Sequence, residues 1–116
     1  MKLPNTMKIG FRTYDIIFPN DFKDINHCGI TDYERQEIRI GEIGSNGAKY
    51  KNDSIIQTTM HEVIHAIEAG CGHRVFKKED GSVNECAVDA WAEWLCMVFR
   101  DNPEFTKLLL MDERKK

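Results

Sequence analysis

Residues 60–68 read "MHEVIHAIE" and place two histidines four positions apart, with a glutamate directly after the first. On an α-helix, residues i and i+4 lie one above the other, so His61 and His65 project from one face and can offer two nitrogens to one ion. Glu62 lies about 100° around the helix from His61. It could reach water at that ion but is poorly placed to be a third ligand. This H-E-x-x-H arrangement is typical of zinc peptidases in which the glutamate is the general base.

The flanking sequence predicts that this motif lies on a helix. Asp53 or Ser54 can act as the N-cap, Ser54 and Gln57 have capping-box spacing, and Gly70 can end the helix, which gives a first helix over about 54–69. Its apolar residues recur at helical spacing and predict one core-facing side: Ile56, Met60, Val63, Ile64 and Ile67. The alternative is an ordinary core helix that carries two surface histidines and a glutamate.

The N-terminal half has the patterns of strands. Residues 7–18 predict one strand, 19–26 a turn or short helical turn, and 28–42 a hairpin-like pair of β segments. The glycine-rich stretch 41–53 predicts a loop that leads to the first helix.

Two further helices are predicted in the C-terminal half. Ser82 opens one that reaches about Arg100, and its long apolar set includes Val88 and Trp91. Pro103 starts a short last helix through Leu110. The predicted fold is therefore α+β. A small antiparallel or mixed sheet in the N-terminal half packs on the H-E-x-x-H helix and a second ligand-bearing helix, with a short C-terminal helix.

Composition limits the class of protein. A chain of 116 residues predicts a single domain over 1–116, and its 41% apolar and 30% charged residues are ordinary for a globular protein. A net charge of -3 without a basic cluster argues against nucleic-acid binding. No apolar run approaches the ~20 residues of a bilayer span, and the N-terminus lacks the apolar segment of a signal peptide. We therefore expect a cytoplasmic protein without a membrane partner, with reduced cysteines.

A catalytic zinc site needs a third protein ligand and leaves one position to water. The metzincin pattern H-E-x-x-H-x-x-G-x-x-H is disfavoured, because Glu68 stands at its glycine position and Cys71 at its last histidine position. Glu85 is the better candidate for the third metal ligand. Asp89 lies one turn above it and could accept a hydrogen bond from the other ring N–H of a ligating histidine, which would orient the ring. Alternatively, Glu85 forms a capping box with Ser82, and Asp89 is an ordinary solvated helix residue.

The segment Asn84-Glu85-Cys86-Ala87-Val88-Asp89 resembles the N-E-x-x-x-D signature of thermolysin-like enzymes. Together with the H-E-x-x-H motif, it makes the chain similar to a minimal gluzincin, of the short kind found among phage-associated and ImmA/IrrE-like metallopeptidases. The resemblance implies zinc-dependent hydrolysis of a peptide or protein substrate, with His61, His65 and Glu85 as ligands. It also implies that an extended peptide could pair with the strand around residues 37–40.

In such an enzyme zinc acidifies a water towards a pKa of about 7, and Glu62 accepts its proton and later passes it to the leaving amine. Large gluzincins add a histidine or tyrosine that stabilises the oxyanion. Here His73, Tyr50 and Tyr33 are the candidates, and spacing selects none of them. Two other functions stay open: a catalytically weak or inactive zinc-stabilised protein-binding module, such as a phage accessory protein, and a small helical interaction protein without metal.

Overall fold

A computed structural model of the chain describes residues 2–19, 28–44, 46–71 and 75–110. Its described part contains four strands in one sheet: β1 (Thr6–Ile9), β2 (Arg12–Ile17), β3 (Gly29–Asp32) and β4 (Glu37–Ile40). The spatial order is β1-β2-β4-β3. β1–β2 and β3–β4 are antiparallel and β2–β4 is parallel. Three helices follow: α1 (Asn52–Cys71), α2 (Glu85–Asp101) and α3 (Pro103–Leu109). The predicted α+β fold with a mixed N-terminal sheet is confirmed.

The prediction of a single strand over 7–18 is wrong, because this segment forms the two strands β1 and β2. The chain reverses at Gly10 and Phe11, where Gly10 has a φ of 64°, and Ile9 pairs with Arg12 across the hairpin. A positive φ is inexpensive only for glycine, so a glycine inside an alternating run can mark a turn. The hairpin predicted within 28–42 is confirmed as β3 and β4. Most of the turn predicted at 19–26 lies outside the described residues.

The predicted limits of α1 were too narrow. The helix begins at Asn52, so Asp53 and Ser54 lie inside its first turn rather than at the N-cap. It also continues through Gly70 to Cys71. A glycine typically ends a helix by adopting a left-handed backbone conformation with positive φ. Gly70 does not have a positive φ. The predicted helix end at Gly70 is therefore wrong.

α1 has two buried sides rather than one, because it lies between the sheet and α2. The side towards the sheet carries Ile55, Thr59, Glu62 and Ala66, each at most 5% exposed. Ile64 packs on the other side against Val88 and Ala92 of α2. The predicted apolar set is confirmed at Ile64, but Ile67 is 51% exposed and the second buried side of α1 was not predicted.

α2 begins at Glu85, and its N-cap is Asn84, whose side chain accepts a hydrogen bond from the Ala87 amide at 3.1 Å. Ser82 does not open the helix, since its amide and hydroxyl both donate to Asp80. The capping-box alternative for Glu85 is therefore wrong. α3 ends one residue before the predicted Leu110.

α1 and α2 run side by side in opposite directions. The N-terminal Asp53 of α1 contacts Arg100 near the end of α2, whereas His65, a turn and a half before the end of α1, contacts Glu85 at the start of α2. The two helices therefore bring the middle of α1 to the first turns of α2. Among the described residues, no helix combines the length and apolarity that crossing a bilayer requires.

Candidate metal centre

Three side chains from α1 and α2 converge on one point. His65 Nε2 lies 3.1 Å from His61 Nε2 and 2.9 Å from Glu85 Oε1, and His61 Nε2 lies 3.2 Å from the same carboxylate oxygen. The two histidines come from consecutive turns of α1, and Glu85 is the first residue of α2. The structure thus groups the three residues that the sequence suggested as ligands, and they could hold a metal ion.

The spacing of these three atoms fits a small tetrahedral ion. Histidine nitrogens and carboxylate oxygens bind zinc at about 2.0–2.2 Å, which places tetrahedral ligands about 3.3 Å apart. The three observed separations, 2.9 to 3.2 Å, are slightly shorter than this value. Two histidines and one glutamate also form the donor set of known catalytic zinc sites, which leave a fourth position for water or substrate.

Asp89 orients one of the candidate ligands. Its Oδ1 lies 3.2 Å from His61 Nδ1, and it also accepts a hydrogen bond of 2.8 Å from Gln57 Nε2. Gln57 lies one turn before His61 on α1, so the amide, the carboxylate and the ring form a chain across the two helices. An ionised carboxylate only accepts hydrogen bonds, so this contact favours the His61 tautomer with its proton on Nδ1.

That tautomer leaves a lone pair on His61 Nε2, which faces the other two atoms of the triangle. Glu85 Oε1 brings further lone pairs when it is ionised, and a neutral His65 has at most one proton to place on its Nε2. One proton cannot satisfy three mutual contacts of about 3 Å. A bound cation would satisfy all three atoms at once.

Glu62 lies beside this triangle but is bound to the sheet. It is only 5% exposed, and its Oε1 accepts a hydrogen bond of 2.7 Å from the Thr31 hydroxyl of β3. It nevertheless lines both of the cavities that border His61 and Glu85, of about 250 and 460 Å³. The carboxylate is therefore held by β3, and Glu62 borders the space next to the candidate ligands.

Of the three candidates for stabilising an oxyanion, Tyr33 lines the larger cavity together with both histidines and Glu62. The Tyr50 hydroxyl instead accepts a hydrogen bond of 3.6 Å from the Cys28 thiol. Hydrogen bonding to Cys28 and the negative charge of its ionised sulfur raise the pKa of Tyr50 above its ordinary value. His73 lies outside the described residues. The geometry therefore favours Tyr33 among the two tyrosines.

The strand beside the site is β3 rather than the predicted segment 37–40. β4 pairs with β2 on one side and β3 on the other, so its backbone is already used and cannot accept a peptide. The expectation of strand addition at 37–40 is therefore wrong. β3 stands at the end of the strand order, and Gly29 borders both cavities.

No protein-family model, curated protein or solved structure matches the chain. The interpretation of the site therefore depends on the geometry of its own residues.

Three residues of this site were missed from the sequence: Gln57, Thr31 and Gly29. Gln57 had a local signal, because it stands four residues before His61 and so shares its face of the helix. Thr31 and Gly29 lie about thirty residues before Glu62 in a different element. Only the packing of β3 against α1 brings them to Glu62, so motif spacing could not find them.

Proposed function

We propose that the protein is a zinc-dependent metallopeptidase of the gluzincin type, in which Glu62 is the general base. The observation that carries this proposal is the triangle of His61, His65 and Glu85 beside a buried carboxylate that is not part of it. A purely structural metal site needs no such base. Structural zinc sites also usually fill all four positions with protein.

His61, His65 and Glu85 would hold the zinc ion, with Asp89 fixing the ring of His61. A zinc ion bound there would acidify water and polarise a carbonyl group. A facial set of two histidines and one carboxylate also occurs in iron oxygenases, which require no general base of this kind. The position of Glu62 therefore favours hydrolysis.

Glu62 would carry the proton in both halves of the reaction. It accepts a proton from the attacking water and later donates it to the leaving amine, so that the carboxylate is regenerated at the end of each cycle. General acid–base catalysis of this kind contributes about 10²- to 10⁴-fold to a rate. Glu62 lines the cavities that also border His61 and Glu85, which supports this role.

The substrate would be an extended segment of a peptide or protein lying along the outer edge of β3. An edge strand offers unpaired amide and carbonyl groups that recognise an extended chain. The larger cavity contributes apolar side chains at Ile30, Ala69 and Val83, which would accept an apolar residue of the substrate. Cys28, Cys86 and Cys96 are free thiols, which is consistent with activity in the reducing cytoplasm.

The decisive experiment compares wild-type protein with Glu62→Gln. Both are purified without chelator, their metal is identified by elemental analysis, and cleavage of a denatured-protein peptide library is followed by mass spectrometry. We expect one zinc per chain in both proteins, and a loss of at least about 100-fold in cleavage for the variant. Glu104→Gln, the same change at an exposed position on α3, is the control and should match the wild type.

The other outcomes overturn the proposal in different ways. Zinc without cleavage by the wild type would favour the zinc-stabilised binding module. Absence of any bound metal would favour a helical interaction protein. Equal cleavage by wild type and Glu62→Gln would exclude Glu62 as the base.

A further inference from the structure

The Thr31 hydroxyl contacts Glu62 at two places. Its Oγ1 lies 2.7 Å from the carboxylate Oε1 and 2.9 Å from the backbone carbonyl oxygen of the same residue. Both partners accept hydrogen bonds and the hydroxyl has one proton, so the two acceptors share it. This bridge joins the end of the Glu62 side chain to its own backbone. It therefore selects the rotamer in which the carboxylate lies towards β3.

Gly29 leaves room for the same side chain because it has no Cβ. A Cβ built on Gly29 would lie 2.8 Å from Glu62 Cγ and 3.1 Å from Glu62 Oε2. The backbone conformation does not require glycine at this position, because the φ angle of Gly29 is not positive. Glycine is needed at this position because the Glu62 side chain occupies the space next to it.

Gly29 and Thr31 act from the same face of β3. They pair with Ile40 and Ile38 of β4, both fully buried beneath α1. Alternate residues of a strand share a face, so the positions 29 and 31 both look towards α1. One side of the strand thus provides both the space and the hydrogen bond for Glu62.

We infer that Gly29 and Thr31 are positioning residues for the general base, and that β3 rather than the zinc ligands sets the orientation of Glu62. This inference rests on the proposed function and extends it. The strand whose outer edge would bind the peptide also fixes the base, so substrate and base are aligned by one element. A buried carboxylate that is held in this way already has a fixed orientation, so it loses little conformational freedom when the reaction begins.

The kinetic test removes only the hydroxyl. Thr31→Val is expected to lower kcat about 10-fold while KM and zinc affinity stay within about twofold, and Thr31→Ser should restore most of kcat. Thr13→Val makes the same chemical change at an exposed position of β2 and is the matched control. A change that merely weakened the fold would not separate kcat from KM in this way.

A double variant shows whether Thr31 acts through Glu62. If it does, adding Thr31→Val to Glu62→Gln should cause no further loss of kcat, because the group that is being positioned has already been removed. A further 10-fold loss would show an independent effect of Thr31 and would overturn the inference.

Crystal structures of wild type, Thr31→Val and Gly29→Ala test the inference without any activity. We expect the Glu62 carboxylate to leave its position against β3 in both variants, while His61 and His65 stay in place. If Gly29→Ala does not fold, Thr31→Val alone decides. A carboxylate that keeps its wild-type rotamer in the variants would overturn the inference. An inactive wild type would overturn the proposed function. The position of the Glu62 carboxylate in these structures would still show whether β3 sets its orientation.

Discussion

The two sides of the candidate site are built differently. On the sheet side, Glu62 is 5% exposed and bonded to Thr31 of β3. On the helix side, the Glu85 and Asp89 side chains are 62% and 61% exposed, and their contacts are to histidines and Gln57. Glu62 is therefore placed by the packed fold, whereas Glu85 is placed by polar contacts at the surface. Base position and metal affinity should therefore respond to different substitutions.

The helix side is nevertheless anchored at its start. Asn84 caps α2, and the packing of Val88 and Ala92 against Ile64 fixes the distance between the helices. Glu85 and Asp89 are four residues apart, so both face α1. Exposed polar contacts of this kind contribute little to folding free energy by themselves. Their effect should appear mainly in metal binding.

The largest effect is expected from the histidines. His61→Ala or His65→Ala should abolish stoichiometric zinc binding, because the two remaining ligands cannot hold the ion against water. Elemental analysis and isothermal titration calorimetry of the purified variants measure this loss. Full zinc occupancy in either variant would contradict the assignment of that histidine as a ligand.

Glu85→Ala should come next. Losing an exposed ligand should weaken zinc by more than the roughly 10- to 100-fold range of outer-shell residues, while the metal-free protein melts at nearly the wild-type temperature. Chelator competition and thermal melts with and without zinc separate these two effects. Glu104→Ala, the same change at an exposed position on α3, is the control.

Tight zinc binding by Glu85→Ala would mean that another residue, such as Asp89, Glu93 or Cys71, completes the site. The gluzincin interpretation would then have to be withdrawn.

Asp89→Ala should have a smaller effect, of about 10- to 100-fold on zinc affinity, since it orients His61 without binding the ion. Gln57→Ala should weaken zinc less again, because Gln57 acts only through Asp89. The same chelator competition measures both variants. A loss in Gln57→Ala as large as that in Asp89→Ala would show that the amide has a more direct role.

The sequence predicted most of the helix side because its signals are local. Two histidines one turn apart, and two acids one turn apart on the next helix, each follow from the period of an α-helix. Their meeting required only that α1 and α2 pack side by side. The order of the elements and the α+β class followed from the same periodic patterns.

The sheet side could not be predicted in this way. The sequence of β3 reads only as a short strand, and nothing in it indicates that Gly29 and Thr31 meet Glu62. The parallel pairing of β2 with β4 leaves β3 at one edge of the sheet, and this pairing joins segments about twenty residues apart. Burial of Glu62 was also unexpected, because a charged residue on a helix is usually assigned to solvent.

The smallest effect is expected at the end of α1, outside the candidate site. Gly70 is exposed, helical, and has no atom within 4 Å of an added Cβ. Gly70→Ala should therefore raise the free energy of unfolding by up to about 0.5–1 kcal/mol, because alanine loses less backbone entropy in a helix. Gly10→Ala should instead destabilise the protein, since φ is 64° there. Urea denaturation measures both, and zinc affinity should stay unchanged in each. Destabilisation by Gly70→Ala would show that this residue ends the helix in solution, as its sequence context suggested.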